Sequence, residues 1–213
     1  MNKKGVLITF EGNEGCGKST QIKLLYEYFQ QQGRRVFLTR EPGGTGVSDG
    51  IRAVLLDNKN KRMTALTETL LYMASRAQLV EEVIKPRLER GEVVLCDRWL
   101  DATLAYQGYG GGVDKKWIEG LGKTATQGIQ PALTLFLDLP LKIGLRRALS
   151  RKKADRVESK NIHYHEKVRK GYLAIAKKEP RRFRPVRIRE KDSIWAVHEK
   201  IKKMIQNALS KNK

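Results

Sequence analysis

One short motif constrains the fold of this chain more than any other feature. It matches the pattern G-x-x-x-x-G-K-[ST] in full: Gly12, Asn13, Glu14, Gly15, Cys16, Gly17, Lys18 and Ser19, with Thr20 next. An apolar run at 6–10 precedes it, and apolar residues at helical spacing follow it at 22–29. In a strand–loop–helix unit, backbone N–H groups and the helix N-terminus surround a phosphate. Lys18 can then reach the β- and γ-phosphates, and the Ser19 hydroxyl can bind Mg²⁺. The motif predicts a nucleoside triphosphate site, with ATP as the nucleotide.

Cys16 lies inside this loop, near a helix N-terminus that can lower a thiol pKa. The alternative, a small side chain that fills space, is the more common role for such a residue. Cys16 and Cys96 are the two cysteines of the chain, and their spacing fits neither a disulfide framework nor a metal site.

The rest of the chain alternates short apolar runs with helical patterns. Unalternating runs predict strands covered by helices on both faces, at 6–10, 36–39, 93–96, 133–137 and, at a sheet edge, 185–188. Helical spacing marks 22–29, a run around 70–77 that ends near Pro86, and 194–205, whereas glycine clusters at 43–46 and 108–112 predict loops. This order favours a single α/β domain over residues 1–213, with a mostly parallel five-stranded sheet flanked by helices.

The charge of the chain is strongly positive and unevenly distributed. There are 43 Lys and Arg against 23 Asp and Glu, and from residue 141 onward 24 basic residues face 7 acidic ones. A basic last third suits nucleic acid, an anionic membrane surface or polyphosphate ligands, and it also suits a solvated surface. No run reaches the roughly 18–20 apolar residues of a membrane span, and the start of the chain lacks a secretory leader pattern. We therefore expect a soluble, cytoplasmic protein.

Further motifs follow the predicted strands or share one helical face. Residues 40–45 (Arg-Glu-Pro-Gly-Gly-Thr) follow the second strand, and Asp97 and Arg98 follow the third. Both belong at the carboxyl edge of the sheet, where open α/β sheets bind ligands. Asp97 can orient Mg²⁺ or its waters, and Arg98 can hold a phosphate with two hydrogen bonds. Tyr72 and Arg76 lie four residues apart, so that a ring can stack on a base while a guanidinium binds its edge.

Together with residues 105–108 (Ala-Tyr-Gln-Gly), these motifs resemble thymidylate kinase, a family that phosphorylates dTMP to dTDP with ATP for dTTP synthesis. The resemblance extends from about residue 7 to residue 172, and residues 40–45 in combination with Asp97-Arg98 are its most specific part. It implies a P-loop, nucleoside monophosphate kinase-like three-layer fold and Mg²⁺ as the cofactor. It also implies a homodimer that acts on ATP and dTMP, with no membrane and no specific nucleic acid as partner.

The resemblance assigns roles to individual residues. Lys18 would stabilise the transferred phosphoryl group, Ser19 and Asp97 would hold Mg²⁺, and Glu14 would contact the acceptor sugar or the metal shell. The resemblance assigns more residues to dTMP binding. Arg40 and Arg98 would bind its phosphate, Tyr72 would stack on thymine, and Arg76 would donate to a thymine carbonyl. Gln107 would contact the base or sugar, and Glu41, Arg52 and Asp97 would line the same pocket.

The family supplies catalytic positive charge in two ways. One form carries an arginine in the phosphate loop, at the position of Gly15 in this chain. The other form has basic residues in a mobile lid, and this chain resembles it, with a lid at about 144–160. Arg151 matches the catalytic lid arginine best, and Arg147 and Arg156 are alternatives. In the acceptor pocket, Ser75 stands where the family often has Asp or Asn.

Two other classes fit part of the pattern. Another nucleoside monophosphate or deoxynucleoside kinase would keep the phosphate loop and read a different acceptor. A nucleic-acid-binding ATPase would use the basic last third, where aromatic residues should alternate with basic ones. The run 180–189 contains one aromatic residue, Phe183.

Overall fold

A five-stranded sheet forms the centre of the molecule. The structure, a computed structural model, describes residues 5–150 and 155–210. Within them the strands are β1 (Val6–Glu11), β2 (Val36–Arg40), β3 (Val93–Asp97), β4 (Leu133–Asp138) and β5 (Phe183–Arg187). All pairs are parallel, in the order β2-β3-β1-β4-β5. The predicted sheet is confirmed, with β5 at an edge, although β5 starts earlier than the predicted 185–188.

Helices connect successive strands. Those in the described residues are α1 (Lys18–Gln31), α2 (Gly46–Leu56), α3 (Ala65–Leu79), α4 (Lys85–Glu89), α5 (Leu100–Thr103), α6 (Lys115–Ala125), α7 (Leu141–Leu149), α8 (Ile162–Lys178) and α9 (Ile194–Ser210). Two π-helical segments, Val80–Ile84 and Leu104–Gly110, extend α3 and α5, and Asn58–Asn60 forms one 3₁₀ turn. None of these helices is long and apolar enough to cross a membrane.

The strands are apolar on both faces because helices cover the sheet on both sides. On one face, alternate residues of β1 such as Ile8 and Phe10 pack against α1 and α9. On the other face, Leu7 packs near the end of α3, and Phe136 packs against α8 and its neighbours. The result is the predicted three-layer arrangement.

The helical run ends at Glu89, three residues beyond Pro86, because the π-helical segment leads into α4, whose first turn accommodates a proline that lacks an N–H donor. Another local expectation is wrong. The glycines at 108–110 lie in the second π-helical segment and not in a loop. Gly110 instead permits close packing, since a Cβ there would lie 2.7 Å from the Tyr164 ring of α8.

Candidate active site

The carboxyl ends of β1, β2 and β3 open into one cleft of about 370 Å³, a volume typical of small-molecule sites. The parallel register places Arg40 and Phe10 beside Asp97 at this edge. Fifteen predicted site residues line the cleft: Glu14, Gly15, Cys16, Gly17, Lys18, Ser19, Thr20, Arg40, Glu41, Arg52, Tyr72, Arg76, Asp97, Arg98 and Gln107. Gly12 and Asn13 are buried behind it. Arg151 lies outside the described residues.

The phosphate loop is closely packed against its surroundings. The Lys18 amine donates hydrogen bonds to the carbonyls of Gly12 at 2.9 Å and Asn13 at 3.3 Å, which holds the side chain across the loop. Gly15 has a φ of 69°, and a Cβ at this position would lie 2.0 Å from the carbonyl oxygen of Gly144 in α7. An arginine therefore does not fit at position 15 without movement of α7.

Cys16 is a packing residue. Its side chain is buried in the core cluster that contains α1 and α9. Burial raises the pKa of the Cys16 thiol, and this effect outweighs the attraction of Lys18. The space-filling interpretation of this cysteine therefore fits the structure better than a reactive thiol.

Arg98 is the electrostatic centre of the cleft. Its guanidinium pairs with Glu14, donates to the Gly12 carbonyl at 3.1 Å and to the Tyr172 hydroxyl at 3.3 Å, and lies over the Tyr106 ring. Burial alone would raise the pKa of Glu14, but Arg98 and Lys18 outweigh it and lower that pKa to about 2. Arg98 also has a φ of 75°, a backbone strain that its side-chain contacts must offset. Glu14 and Arg98 therefore form a permanently ionised pair beside the loop.

Three arginines converge on one end of the cleft. The Arg40 side chain is about half exposed and pairs with Asp49 at 3.3 Å. Arg52 donates to the Pro42 carbonyl at 2.8 Å. Burial lowers the pKa of Arg52, and the positive charges of Arg40 and Arg98 lower it further. A bound anion would offset the repulsion among these three arginines, and a phosphate group is such an anion.

Tyr72 and Arg76 of α3 also line the cleft. Tyr72 is half-buried, and burial raises its pKa. Arg76 is fully buried; it donates two hydrogen bonds to the Glu41 carboxylate, at 2.6 and 2.9 Å to Oε2, and one to Thr103 at 3.1 Å. Its guanidinium also lies 5.7 Å from the centre of the Trp99 ring. Glu41 thus fixes Arg76 at the edge of the cleft.

Ser75 organises the segment after β2. Its hydroxyl accepts a hydrogen bond from the Gly43 N–H at 3.2 Å, and its carbonyl accepts one from the Ser48 hydroxyl at 2.8 Å. These contacts join α3 to the start of α2 and to the segment that carries Arg40 and Glu41. The residue therefore has a structural function in this chain.

Glu68 is a site residue that the sequence analysis missed. It is 1 % exposed, and its carboxylate binds Gln107, Arg156 and Lys160. Its position four residues before Tyr72, on the same helical face, is the signal that could have identified it. Arg156, one of the alternatives for the lid arginine, is itself buried and forms an ion pair with Glu68. The other alternative, Arg147, contacts the Glu190 carbonyl at 3.4 Å.

Glu11 was missed as well, although it immediately precedes the phosphate loop. Its carboxylate accepts hydrogen bonds from the Trp99 N–H at 2.8 Å and the Tyr172 hydroxyl at 2.7 Å. Burial, together with the nearby Asp101, raises the pKa of Glu11 to about 8. A buried acid beside the reacting groups thus carries a proton that most carboxyls lose.

Asp97 has the features of a magnesium ligand. Its Oδ1 is buried and has no hydrogen-bond partner among the described residues, although Asp97 lines the cleft with Ser19. The described residues contain no group of three His, Cys, Asp or Glu that would enclose a metal. Mg²⁺ commonly binds to one or two protein oxygens plus substrate phosphates, so a carboxylate and a hydroxyl beside a phosphate loop fit this ion.

A phosphate loop and an arginine cluster that line the same cleft define a P-loop kinase that transfers phosphate between nucleotides. The family model described as thymidylate kinase matches residues 10–201. The chain is 52% identical to a thymidylate kinase of Geotalea uraniireducens over 84% of this chain and 87% of the relative. It is 55% identical to one from Geobacter sp. (strain M21), over 84% and 82% of the two chains.

A solved structure agrees with these relatives. The crystal structure of thymidylate kinase from Ehrlichia chaffeensis is 33% identical, with a TM-score of 0.76 over 95% of this chain and 99% of that one. The chain belongs to the thymidylate kinase family. It phosphorylates dTMP to dTDP at the expense of ATP.

Proposed function

We propose that the phosphate loop and the arginine cluster bind the two substrates within one cleft. The ATP phosphates bind at the phosphate loop, and the dTMP phosphate binds to Arg40, Arg52 and Arg98. The observation that carries this proposal is the convergence of three arginines on a cleft that the phosphate loop also lines. Phosphoryl transfer depends mainly on alignment and charge stabilisation, which these two anion sites supply.

The catalytic charges come from the phosphate loop, the lid and the arginine cluster. Lys18 stabilises the transferred group together with Arg151 of the lid, and Arg98 aligns the attacking phosphate oxygen of dTMP. Glu14 holds Arg98 through their ion pair and contacts the acceptor sugar. The chain forms one domain over residues 1–213, with a lid at about 144–160. Closure of this lid excludes water, which would otherwise accept the phosphoryl group in place of dTMP.

The base of dTMP binds along the α3 face. Tyr72 stacks on thymine, Arg76 donates to a thymine carbonyl, and Gln107 reads the base from the π-helical segment. The support is that all three line the same cleft and that Glu41 holds Arg76 in place.

Ser19 and Asp97 would hold Mg²⁺ in this cleft. When bound, the ion would supply positive charge that offsets the negative charge developing on the transferred phosphoryl group. The unpartnered Oδ1 of Asp97 supports the assignment. Replacing Asp97 by Asn would remove a charged ligand while keeping its shape, so half-maximal activity should require more Mg²⁺.

An arginine substitution tests the acceptor-phosphate site. Arg52→Ala should raise KM for dTMP by about tenfold, because one charge-assisted contact to phosphate is worth roughly 1.5–3 kcal/mol. KM for ATP should stay unchanged. Arg62→Ala, an exposed arginine outside the cleft, is the matched control. A variant in which KM for ATP rises and KM for dTMP does not would contradict the assignment.

We also propose that the protein acts in the cytoplasm as a homodimer. Apolar side chains on α2 and α3 support the dimer: Val47, Val54, Leu66 and Leu70 are 46–58% exposed. A second copy of this chain would bury such a face. Leu66→Glu should shift the mass in sedimentation experiments toward a monomer, whereas Ile162→Glu on α8 should not.

A further inference from the structure

Glu68 has contacts that are unusual for a residue outside the cleft lining. Its Oε1 accepts a hydrogen bond from Gln107 Nε2 at 2.6 Å and one from Lys160 Nζ at 3.2 Å. Its Oε2 pairs with Arg156 Nη1 at 2.6 Å. The three partners come from the π-helical segment and from the proposed lid segment at about 144–160.

The Gln107 amide has one orientation that satisfies this environment. A carboxylate accepts hydrogen bonds and donates none, so Gln107 must turn its NH₂ group toward Glu68. Burial would raise the pKa of Glu68, but Lys160, Gln107 and Arg156 outweigh it and lower that pKa, which keeps the acid ionised. The amide carbonyl therefore points away from Glu68. Gln107 itself lines the cleft.

We propose that Glu68 is a positioning residue that sets pyrimidine selectivity by fixing the side-chain amide of Gln107 with its carbonyl oxygen toward the acceptor base. The proposal rests on the base-reading role of Gln107 proposed above. A carbonyl at this point accepts a hydrogen bond from the N3–H of thymine. Cytosine has an unprotonated N3 there, so two acceptors would face each other and the amide would lose its bond.

The neighbours of Glu68 determine what happens when its charge is removed. In Glu68→Gln the new side chain has one carbonyl and one NH₂ group. Arg156 and Lys160 are both cations that only donate, so the carbonyl turns toward them. The NH₂ group of the new glutamine then faces Gln107, so Gln107 must turn its own carbonyl toward position 68 to accept the hydrogen bond. Gln107 would present donors to the base, the arrangement that suits cytosine.

The test compares kcat/KM for dTMP and dCMP in wild type, Glu68→Gln, Gln107→Met and the double variant. We expect Glu68→Gln to lower the dTMP/dCMP ratio on the order of tenfold or more, mainly through KM for dTMP. The double variant should match Gln107→Met alone, because Glu68 acts through Gln107. Glu119→Gln, an exposed acid on α6 that pairs with Lys178, controls for the loss of a charge and should leave the ratio unchanged.

Each other outcome is decisive. A Glu68→Gln variant that loses kcat equally on both acceptors, with the ratio unchanged, would overturn the positioning role. An unchanged ratio in Gln107→Met would overturn the base-reading role on which it rests, and a wild type that does not prefer dTMP would overturn the proposed pocket itself. Should Glu68→Gln not fold, Glu68→Asp keeps the charge, draws the carboxylate back from Gln107, and must lower the ratio in the same direction.

Discussion

At the scale of single residues, the site depends on charges buried in pairs. Glu14 with Arg98 and Glu41 with Arg76 are ion pairs inside the cleft wall, and removal of one partner leaves an uncompensated charge. Glu11 differs from them. It lies close to Asp101, and its own contacts are a backbone N–H and a hydroxyl, so that it is held as a neutral acid.

Glu11 should make stability depend on pH. The pKa of this group rises from 4.5 to about 8 on folding, so the folded state binds a proton that the unfolded chain releases. The stability that this proton contributes is complete below about pH 4.5 and is lost as the pH rises through about 8. Glu11→Gln is neutral throughout. The free energy of unfolding of wild type relative to this variant should therefore fall by a few kcal/mol between these limits.

Urea denaturation at several pH values across that range measures the effect. Glu119→Gln, which replaces an exposed acid on α6, is the control and should show no such divergence from wild type. Parallel stability profiles of wild type and Glu11→Gln would contradict the protonated state of Glu11.

Single residues also show what a sequence can and cannot predict about a site. The phosphate loop, Asp97-Arg98 and the Tyr72/Arg76 pair were predictable because short motifs carry them. The spacing of Glu68 from Tyr72 places it on the same helical face, but neither its role nor that of Glu11 was predictable, because both depend on contacts with residues distant in sequence, such as Lys160 and Tyr172. A buried acid has no sequence signature until the fold shows which groups surround it.

At the scale of elements, a close contact joins the phosphate loop to α7, the helix in which the proposed lid segment begins. Gly15 and Gly144 approach so closely that neither position has room for a Cβ, and α7 leads directly into the segment of Arg151. Glycine is required here by space as well as by backbone conformation. Under the proposed function, movement of the lid would act on this close contact beside the phosphate loop.

Gly144→Ala tests this contact. The new Cβ would lie 2.5 Å from the Glu14 carbonyl oxygen, so the loop or α7 must shift. We expect kcat to fall roughly 10- to 100-fold, because displacements of about 1 Å have effects of this size. The control is Gly120→Ala in α6, where a Cβ has open space and should stabilise the helix by about 0.5–1 kcal/mol. Equal kcat values for the two variants would contradict the coupling.

The lid arginine makes a second prediction at this scale. Arg151→Ala should lower kcat by about 10³-fold or more, while KM for dTMP changes little, because the charge acts on the transferring group. Arg189→Ala removes an exposed arginine that pairs with Asp192, and surface pairs contribute little. Arg189→Ala is therefore the control. A fall in kcat of less than about threefold in Arg151→Ala, far below the effect expected of a catalytic arginine, would reject the lid assignment.

Element boundaries show where local patterns mislead. The glycines at 108–112 indicate a loop, yet the π-helical segment continues to Gly110. Tertiary packing accounts for this, because Gly110 lies against Tyr164 and Val168 of α8 and has no room for a side chain. The sequence predicted that the strands are mostly parallel. It did not predict their order in the sheet, because the pairing of β4 with β5 depends on contacts between distant parts of the chain.

At the scale of the whole molecule, part of the basic last third is structural. Arg182 binds both carboxylate oxygens of Asp101, at 2.7 and 2.8 Å, and also binds Glu179. Arg184, Pro185 and Arg187 lie on the edge strand β5, where charge and proline discourage pairing with another sheet. Phe183 is fully buried and cannot stack on a base. These positions argue against a nucleic-acid surface along β5 and leave phosphoryl transfer as the function of the molecule.

The most direct test of this account is ADP release from ATP and Mg²⁺ with dTMP, dUMP, dCMP and AMP supplied separately. The cleft predicts strong turnover with dTMP, less with dUMP, which lacks one methyl group, and little with dCMP or AMP. ATP turnover that is the same with every acceptor, or that prefers AMP, would contradict the central claim that the arginine cluster and the α3 face form a thymidylate site.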